Sequence, residues 1–167
     1  FTNPLVPLYE GGQKYTNRHE ASGIFKLDYE IIDGLKFTGI ANVKYTFKNE
    51  ESRARKVFYK NYFTQEVFEN GENSFSDRRD YNAYYNLQAL LNYKKSFGIH
   101  NLDILAGYQQ ESENSDWLKG ARSGYPTDII WELNPGPKDN WSNDGNGEHW
   151  ALASFIGRIN YDYDNKY

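Results

Sequence analysis

Four tryptophans crowd the second half of the chain: Trp117, Trp131, Trp141 and Trp150. Such rings are rigid and lose little side-chain entropy on binding, so they serve as stacking platforms or partner anchors. Trp117 and Trp141 therefore head the candidate binding residues, with Trp131 beside them. Arg122, Asp128 and Glu132 could add polar contacts. The plainer role for these rings is packing the base of their own loop, or, for Trp150, a place at an apolar–water boundary. The stretch Asp139 to Glu148, DNWSNDGNGE, is rich in oxygen ligands. With Asn140 at position one of a calcium loop, Ser142, Asp144 and Gly145 fall at three, five and six. Position twelve, where a bidentate Glu is required, is Ala151. A solvated Asn/Gly-rich turn is the expectation, and no metal. Arg53, Arg55, Lys56 and Lys60, interleaved with VFYKNYF, could meet phosphate groups or simply form a charged, solvated hairpin.

Catalysis finds little support. His19, His100 and His149 lie in unrelated contexts with no metal-spaced pair. No nucleophile elbow or phosphate-cradling loop occurs. Glu111 and Glu113 read as solvated carboxylates just beyond a strand. No active site and no cofactor are expected.

The elements that would carry these residues are strands. From Leu35 to Phe47, Leu35, Phe37, Gly39, Ala41, Val43, Tyr45 and Phe47 share one parity. Lys36, Thr38, Asn42, Lys44, Thr46 and Lys48 hold the other, with Ile40 the intruder. Successive strand side chains point to opposite faces, so this strand has an apolar face and a wet one. The pattern recurs, and it predicts strands over residues 20–32, 35–48, 82–95, 99–112 and 148–163, with no convincing amphipathic helix. Asp33-Gly34 and Ser96-Phe97-Gly98 make short turns. Long connections, 49–81 and 113–147, fall between, in strict alternation with the short ones.

That alternation of loop length belongs to a transmembrane β-barrel, with short periplasmic turns and long extracellular loops. About 9–11 tilted residues span the hydrocarbon, and each strand here suffices. Tyr29, Tyr45, Phe47, Tyr85, Tyr93, Tyr108, Tyr161 and Tyr163 stand at or near strand ends on the apolar parity, where ring and hydroxyl suit a membrane interface. Composition agrees. Mean hydropathy is -0.88 and no apolar run approaches a helical span, yet 17% of the 167 residues are aromatic, too many for disorder. The absence of Cys fits an outer-membrane protein as readily as a cytosolic one. A net charge of -4 argues against a nucleic-acid partner. With no Met and no signal peptide, an internal piece of a longer chain is expected. Five strands cannot close a barrel, so the rest of the wall must come from elsewhere. The alternative is a soluble β-sandwich carbohydrate-binding module, whose apolar parities would face one another.

The segments RHEASGIFKLDYEIIDGLKF, LQALLNYKKSFGIHNLDILAGYQQE and ASFIGRINYDYDNKY resemble barrel strands of the SusC/RagA family of TonB-dependent outer-membrane transporters of Bacteroidetes. The NPL opening and ARSGYPTD match in style. The resemblance implies a fold that is all-β, its antiparallel up-and-down strands forming part of a large plugged barrel of the 22-stranded class. It implies a multi-pass protein of the outer membrane, importing oligosaccharides or peptides under TonB energisation. Implied partners are the remaining barrel with its plug, a SusD-like lipoprotein lid, TonB acting through parts outside this chain, and membrane lipid with lipopolysaccharide. On this reading Trp117, Arg122, Trp131 and Trp141 contact substrate or lid.

Overall fold

The computed structural model describes residues 5–164. Asn3 and Pro4 of the NPL opening, and Asn165 to Tyr167 of the closing segment, lie outside the described residues. A six-residue helix, α1 (Leu5–Glu10), precedes β1 (Gly12–Ile32), β2 (Leu35–Ala54), β3 (Val57–Lys60), β4 (Val67–Asn70), β5 (Ser74–Phe97), β6 (His100–Ser123) and β7 (Trp141–Tyr163). The five long strands form one antiparallel sheet in the order β1-β2-β5-β6-β7, and β3 pairs with β4 alone.

Near the short turns the strand ends lie within two residues of those expected from alternation. At the other ends the strands run six to eleven residues further: β1 starts at Gly12 rather than 20, and β6 ends at Ser123 rather than 112. The reason is physical. The added segments, such as KNEESRA in β2 and SFSDRRD in β5, are polar on both parities, so no apolar face announces them. The backbone ladder holds them instead, with ion pairs along a strand, such as Lys48–Glu50 (3.0 Å) and Arg78–Asp80 (2.6 Å), and across strands from Lys14 to Glu50 (2.7 Å). Residues 141–148, read as a turn, are likewise strand. Asn140, Ser142 and Asp144 share a parity about 6.6 Å apart along the extended chain, too far to converge on one calcium ion. Among the described residues no group of three His, Asp or Glu could hold a metal.

The chain divides into two compact units. The first comprises residues 1–19, 47–81 and 116–147, and holds both long connections. Its small core is Val57, Tyr59, Phe75 and Tyr125, with Tyr59 stacked on Phe68 at 5.4 Å. Side-chain and backbone bonds join Asn73 to Tyr125 in both directions at 3.2 Å, so the 124–140 connection is tied to the base of the β3–β4 hairpin.

The second unit comprises residues 20–46, 82–115 and 148–167, and holds both short turns. The turns lie at one end of it: Lys94 N–H donates to Gly34 O at 2.7 Å, and Asp164 N–H to Ile99 O at 2.7 Å. Of the Asp33-Gly34 pair only Gly34 takes a positive φ, +79°, and a Cβ there would collide with the Lys94 carbonyl. This unit has no buried apolar residue among those described. Phe25, Leu27, Tyr29, Tyr85, Leu87 and Leu91 stand exposed, and Phe155 is 87% exposed. Tyr108 meets the Phe155 ring at 5.3 Å, on the apolar face. The opposite face is hydrogen-bonded: Thr38 to Asp28 (2.6 Å), Asn92 to Asp103 (2.7 Å), Lys44 to Glu20 (2.9 Å). A sandwich would bury the apolar face under a second sheet. Among the described residues the other sheet is the β3–β4 hairpin, which belongs to the first unit.

Candidate binding surfaces

On the wet face of the second unit, β5, β6 and β7 assemble a row of polar and aromatic groups. Tyr84 OH donates to Glu111 at 3.0 Å, and Asn82 donates to Glu113 (2.6 Å) and Ser115 (2.7 Å). Gln109 donates to Glu111. Trp150 Nε1–H donates to Glu113 at 2.8 Å, and its ring tilts against Tyr84 at 6.5 Å. Trp150 therefore sits among carboxylates and amides, away from the apolar face where a boundary residue would stand. Glu111 and Glu113 lie within β6 and are bonded there, rather than free beyond a strand end. Because alternation carries Asn82, Tyr84 and Asn86 to one face, three strands suffice to line it.

Leu90 and Ile156 meet at Gly107 on this face. A Cβ at Gly107 would lie 2.6 Å from the Leu90 side chain and 3.7 Å from Ile156. Glycine at this position makes room for apolar groups that break the polar parity.

In the first unit Trp117 lies under a guanidinium, with Arg78 4.1 Å from its ring centroid, a cation–π geometry. Asp80 grips Arg78 by hydrogen bonds of 2.6–3.2 Å. The pairing with Asp80 raises the Arg78 pKa above its ordinary value. Hydrogen bonds from Lys14 and then Lys48 hold the Glu50 carboxyl below its ordinary value.

Trp131 has two guanidiniums over its ring, Arg53 at 5.9 Å and Arg55 at 5.7 Å from the centroid. Arg122 donates to the carbonyls of Asn134 (3.1 Å) and Gly136 (2.7 Å), bracing the 124–140 connection. Tyr125, whose hydroxyl donates to Glu132 O at 2.7 Å, has its pKa raised by burial. Trp141 stands 64% exposed at the start of β7. A Cβ on Gly145 would approach Leu118 at 3.4 Å, so odd positions of β7 share a face with even positions of β6. Trp141 and Arg122 are thus on one face, and Trp117 on the other. The four expected site residues occupy separate places rather than one pocket. The cations of the first long connection are mostly engaged internally: Arg53 with Glu51 (2.9 Å), Arg55 with Asp128 (3.8 Å), Lys56 with Glu69 (2.9 Å).

Three features went unseen from sequence: the Arg78–Trp117 pair, the Glu113–Trp150 bond and the β3–β4 hairpin. The hairpin alone left a signal, in the two β-prone runs VFYK and VFEN flanking a polar turn.

No family model matches the chain. It is 31% identical over 144 residues to a TonB-dependent receptor, P3, of Formosa agariphila, which covers 86% of this chain and 14% of that protein. The chain belongs to the TonB-dependent receptors. Its fold matches the RagAB peptide importer in the open-open state (TM-score 0.80) and the closed-closed state (TM-score 0.81), each at 20% identity. These matches cover 94% and 95% of this chain and 17% of the solved chains. The chain thus spans about one seventh of the relative's length. These relatives are a receptor and an importer rather than enzymes. Within the family's architecture the five-stranded sheet is a stretch of barrel wall.

Proposed function

We propose that this chain supplies five adjacent wall strands of a multi-pass outer-membrane barrel importing oligosaccharides or peptides. Energy comes through TonB, and a SusD-like lipoprotein covers the extracellular mouth. The observation that carries the reading is the two-faced sheet of the second unit. One face is apolar and uncovered, the other is polar and internally hydrogen-bonded. Each large apolar side chain moved from water to hydrocarbon gains about 1.5–3 kcal/mol, so lipid is the medium that makes this face stable. A plug and water meet the other face. The strands, at 20 to 24 residues, are about twice what a bilayer crossing needs. Their polar extensions stand outside the hydrocarbon and carry the connections into the extracellular space. Trp117, with the parity of Glu111 and Glu113 on β6, faces the transport path. Trp141, on the other parity, shares the outward face of Phe155 above the hydrocarbon.

The absence of cysteine in this chain makes the test direct. Single cysteines are placed in the full-length receptor, otherwise cysteine-free, at Leu87 and Phe155 on one face and at Gln88 and Ser154 on the other. A water-soluble maleimide should label the second pair and spare the first, with a lipid-phase quencher showing the reverse. Equal labelling of both pairs in assembled protein would refute the barrel reading.

A further inference from the structure

We propose that the short-turn end of the apolar face holds the headgroup of a zwitterionic phospholipid, its phosphate on Lys95 and its primary ammonium on Asp33. The site rests on the function proposed above, which puts this end in the periplasmic leaflet. Within the second unit the apolar parities of the five strands carry no carboxylate and a single charged side chain, Lys95. A lysine on such a face lays its stem along hydrocarbon and its ammonium in the headgroup layer. Lys94 N–H donates to Gly34 O at 2.7 Å, so Asp33, in the β1–β2 turn, is the cross-strand neighbour of Lys95. Lys94 itself pairs with Asp103 at 3.3 Å on the wet face. The side chains of Lys95 and Asp33 have no hydrogen-bond or ion-pair partner among the described residues. Two opposite charges thus stand side by side, uncommitted, at the rim of a face with no other.

The surroundings suit a headgroup. A pocket of about 480 Å3 is lined by Lys95, Leu102 and Tyr161 with their neighbours on each strand. These three form one row across β5, β6 and β7, in register with the Ser96–Asn101 bond (2.7 Å) and the Asp164–Ile99 bond (2.7 Å). His100 Nδ1 shares a hydrogen bond with Tyr161 OH (2.6 Å), and its ring tilts against Tyr163 at 5.2 Å. Ring and hydroxyl together are at home in the interfacial layer. Charge then selects the lipid. A headgroup with phosphate alone gains from Lys95 and is repelled by Asp33. A choline headgroup meets Asp33 with methyl groups that donate no hydrogen bond to it. A phosphate with a primary ammonium satisfies both, through charge-assisted hydrogen bonds at each end.

The test is native mass spectrometry of the full-length receptor in detergent, incubated with equal amounts of phosphatidylethanolamine, phosphatidylcholine and phosphatidylglycerol. The unaltered receptor should retain phosphatidylethanolamine about fivefold over either competitor, the size of one surface ion pair. Asp33→Asn, which keeps a turn-forming Asn-Gly pair, should bring phosphatidylglycerol level with it. Lys95→Gln should lower retention of all three lipids. Lys26→Gln, on the wet face beside Asp28, should change nothing. Protease resistance of the barrel checks assembly of each variant. Equal retention of the three lipids by the unaltered receptor would overturn the proposal, as would a preference that survives Asp33→Asn. Release of the bound lipid by inorganic phosphate would assign the site to a free anion and overturn it too. The cysteine labelling described above decides the barrel reading separately: protection of Leu87 and Phe155 positions with no lipid preference refutes this site alone.

Discussion

Phe155 sits near the middle of the apolar run of β7 and is 87% exposed within the chain. Apart from the Tyr108 ring at 5.3 Å, its contacts are with whatever medium surrounds the sheet. In hydrocarbon, replacing it with Arg forfeits most of the roughly 1.5–3 kcal/mol of a buried Phe. It also brings the cost of about 2–4 kcal/mol for Arg near the bilayer midplane. The two together make about 3–7 kcal/mol. In water the same change at an exposed site would lie within about 0.5 kcal/mol of zero. The neighbouring change Ser154→Arg falls on the wet face and should cost less than about 1 kcal/mol. Denaturant titration of the full-length receptor in phospholipid vesicles, followed by tryptophan fluorescence, measures both. Equal penalties, or a Phe155→Arg penalty under about 1 kcal/mol, would refute the assignment of that face to lipid.

Gly107→Ala pushes a methyl against Leu90 and should destabilise by about 1–3 kcal/mol, with Leu90→Ala relieving part of the loss in a double-mutant cycle. Glu50 has its folded pKa depressed by Lys14 and Lys48, so its contribution is present above its ordinary value of 4.5 and disappears as pH falls through the depressed one. The stability gap between the native receptor and Glu50→Gln should therefore close on acidification, and a gap independent of pH would refute the pairing. Arg122→Ala frees the carbonyls of Asn134 and Gly136, and should make 124–140 the first site of proteolytic cutting with barrel assembly unchanged. Trp117→Ala should lower uptake without that proteolytic signature, and normal uptake would remove Trp117 from the transport path.

The strands of the second unit were legible because one medium wets each face, and alternation records that difference residue by residue. Leu35 to Phe47 shows it with a single exception. The extensions from Lys48 to Ala54 and from Ser74 to Asp80 were illegible because they are polar on both parities, and such a strand has no hydrophobic period. The candidate residues fared unevenly for a related reason. The aromatic type of Trp117 and Trp131 was visible, yet their cationic neighbours lie tens of residues away: Arg78 is brought to Trp117 by strand pairing, and Arg53 and Arg55 to Trp131 by the course of the 124–140 connection. Trp150 shows the limit of residue type: its ring suggested a boundary, while its even position in β7 put it beside Glu113.

The connections that distinguish the first unit also bear on how such a protein is made. Chain order and sheet order coincide, β1-β2-β5-β6-β7, so each strand can join its predecessor as it arrives. The obstacle is elsewhere. Residues 55–73 and 124–140 carry ten charged side chains between them, and on this reading both must be carried through hydrocarbon before their strands can pair. Isolated charges cost tens of kcal/mol there, which makes unassisted passage negligible at any physiological rate. Hairpin delivery, not strand pairing, becomes the slow step of biogenesis. A connection that closes on itself through Asn61, Asn73 and Tyr125 presents fewer bare polar groups during that crossing than an open loop of equal length.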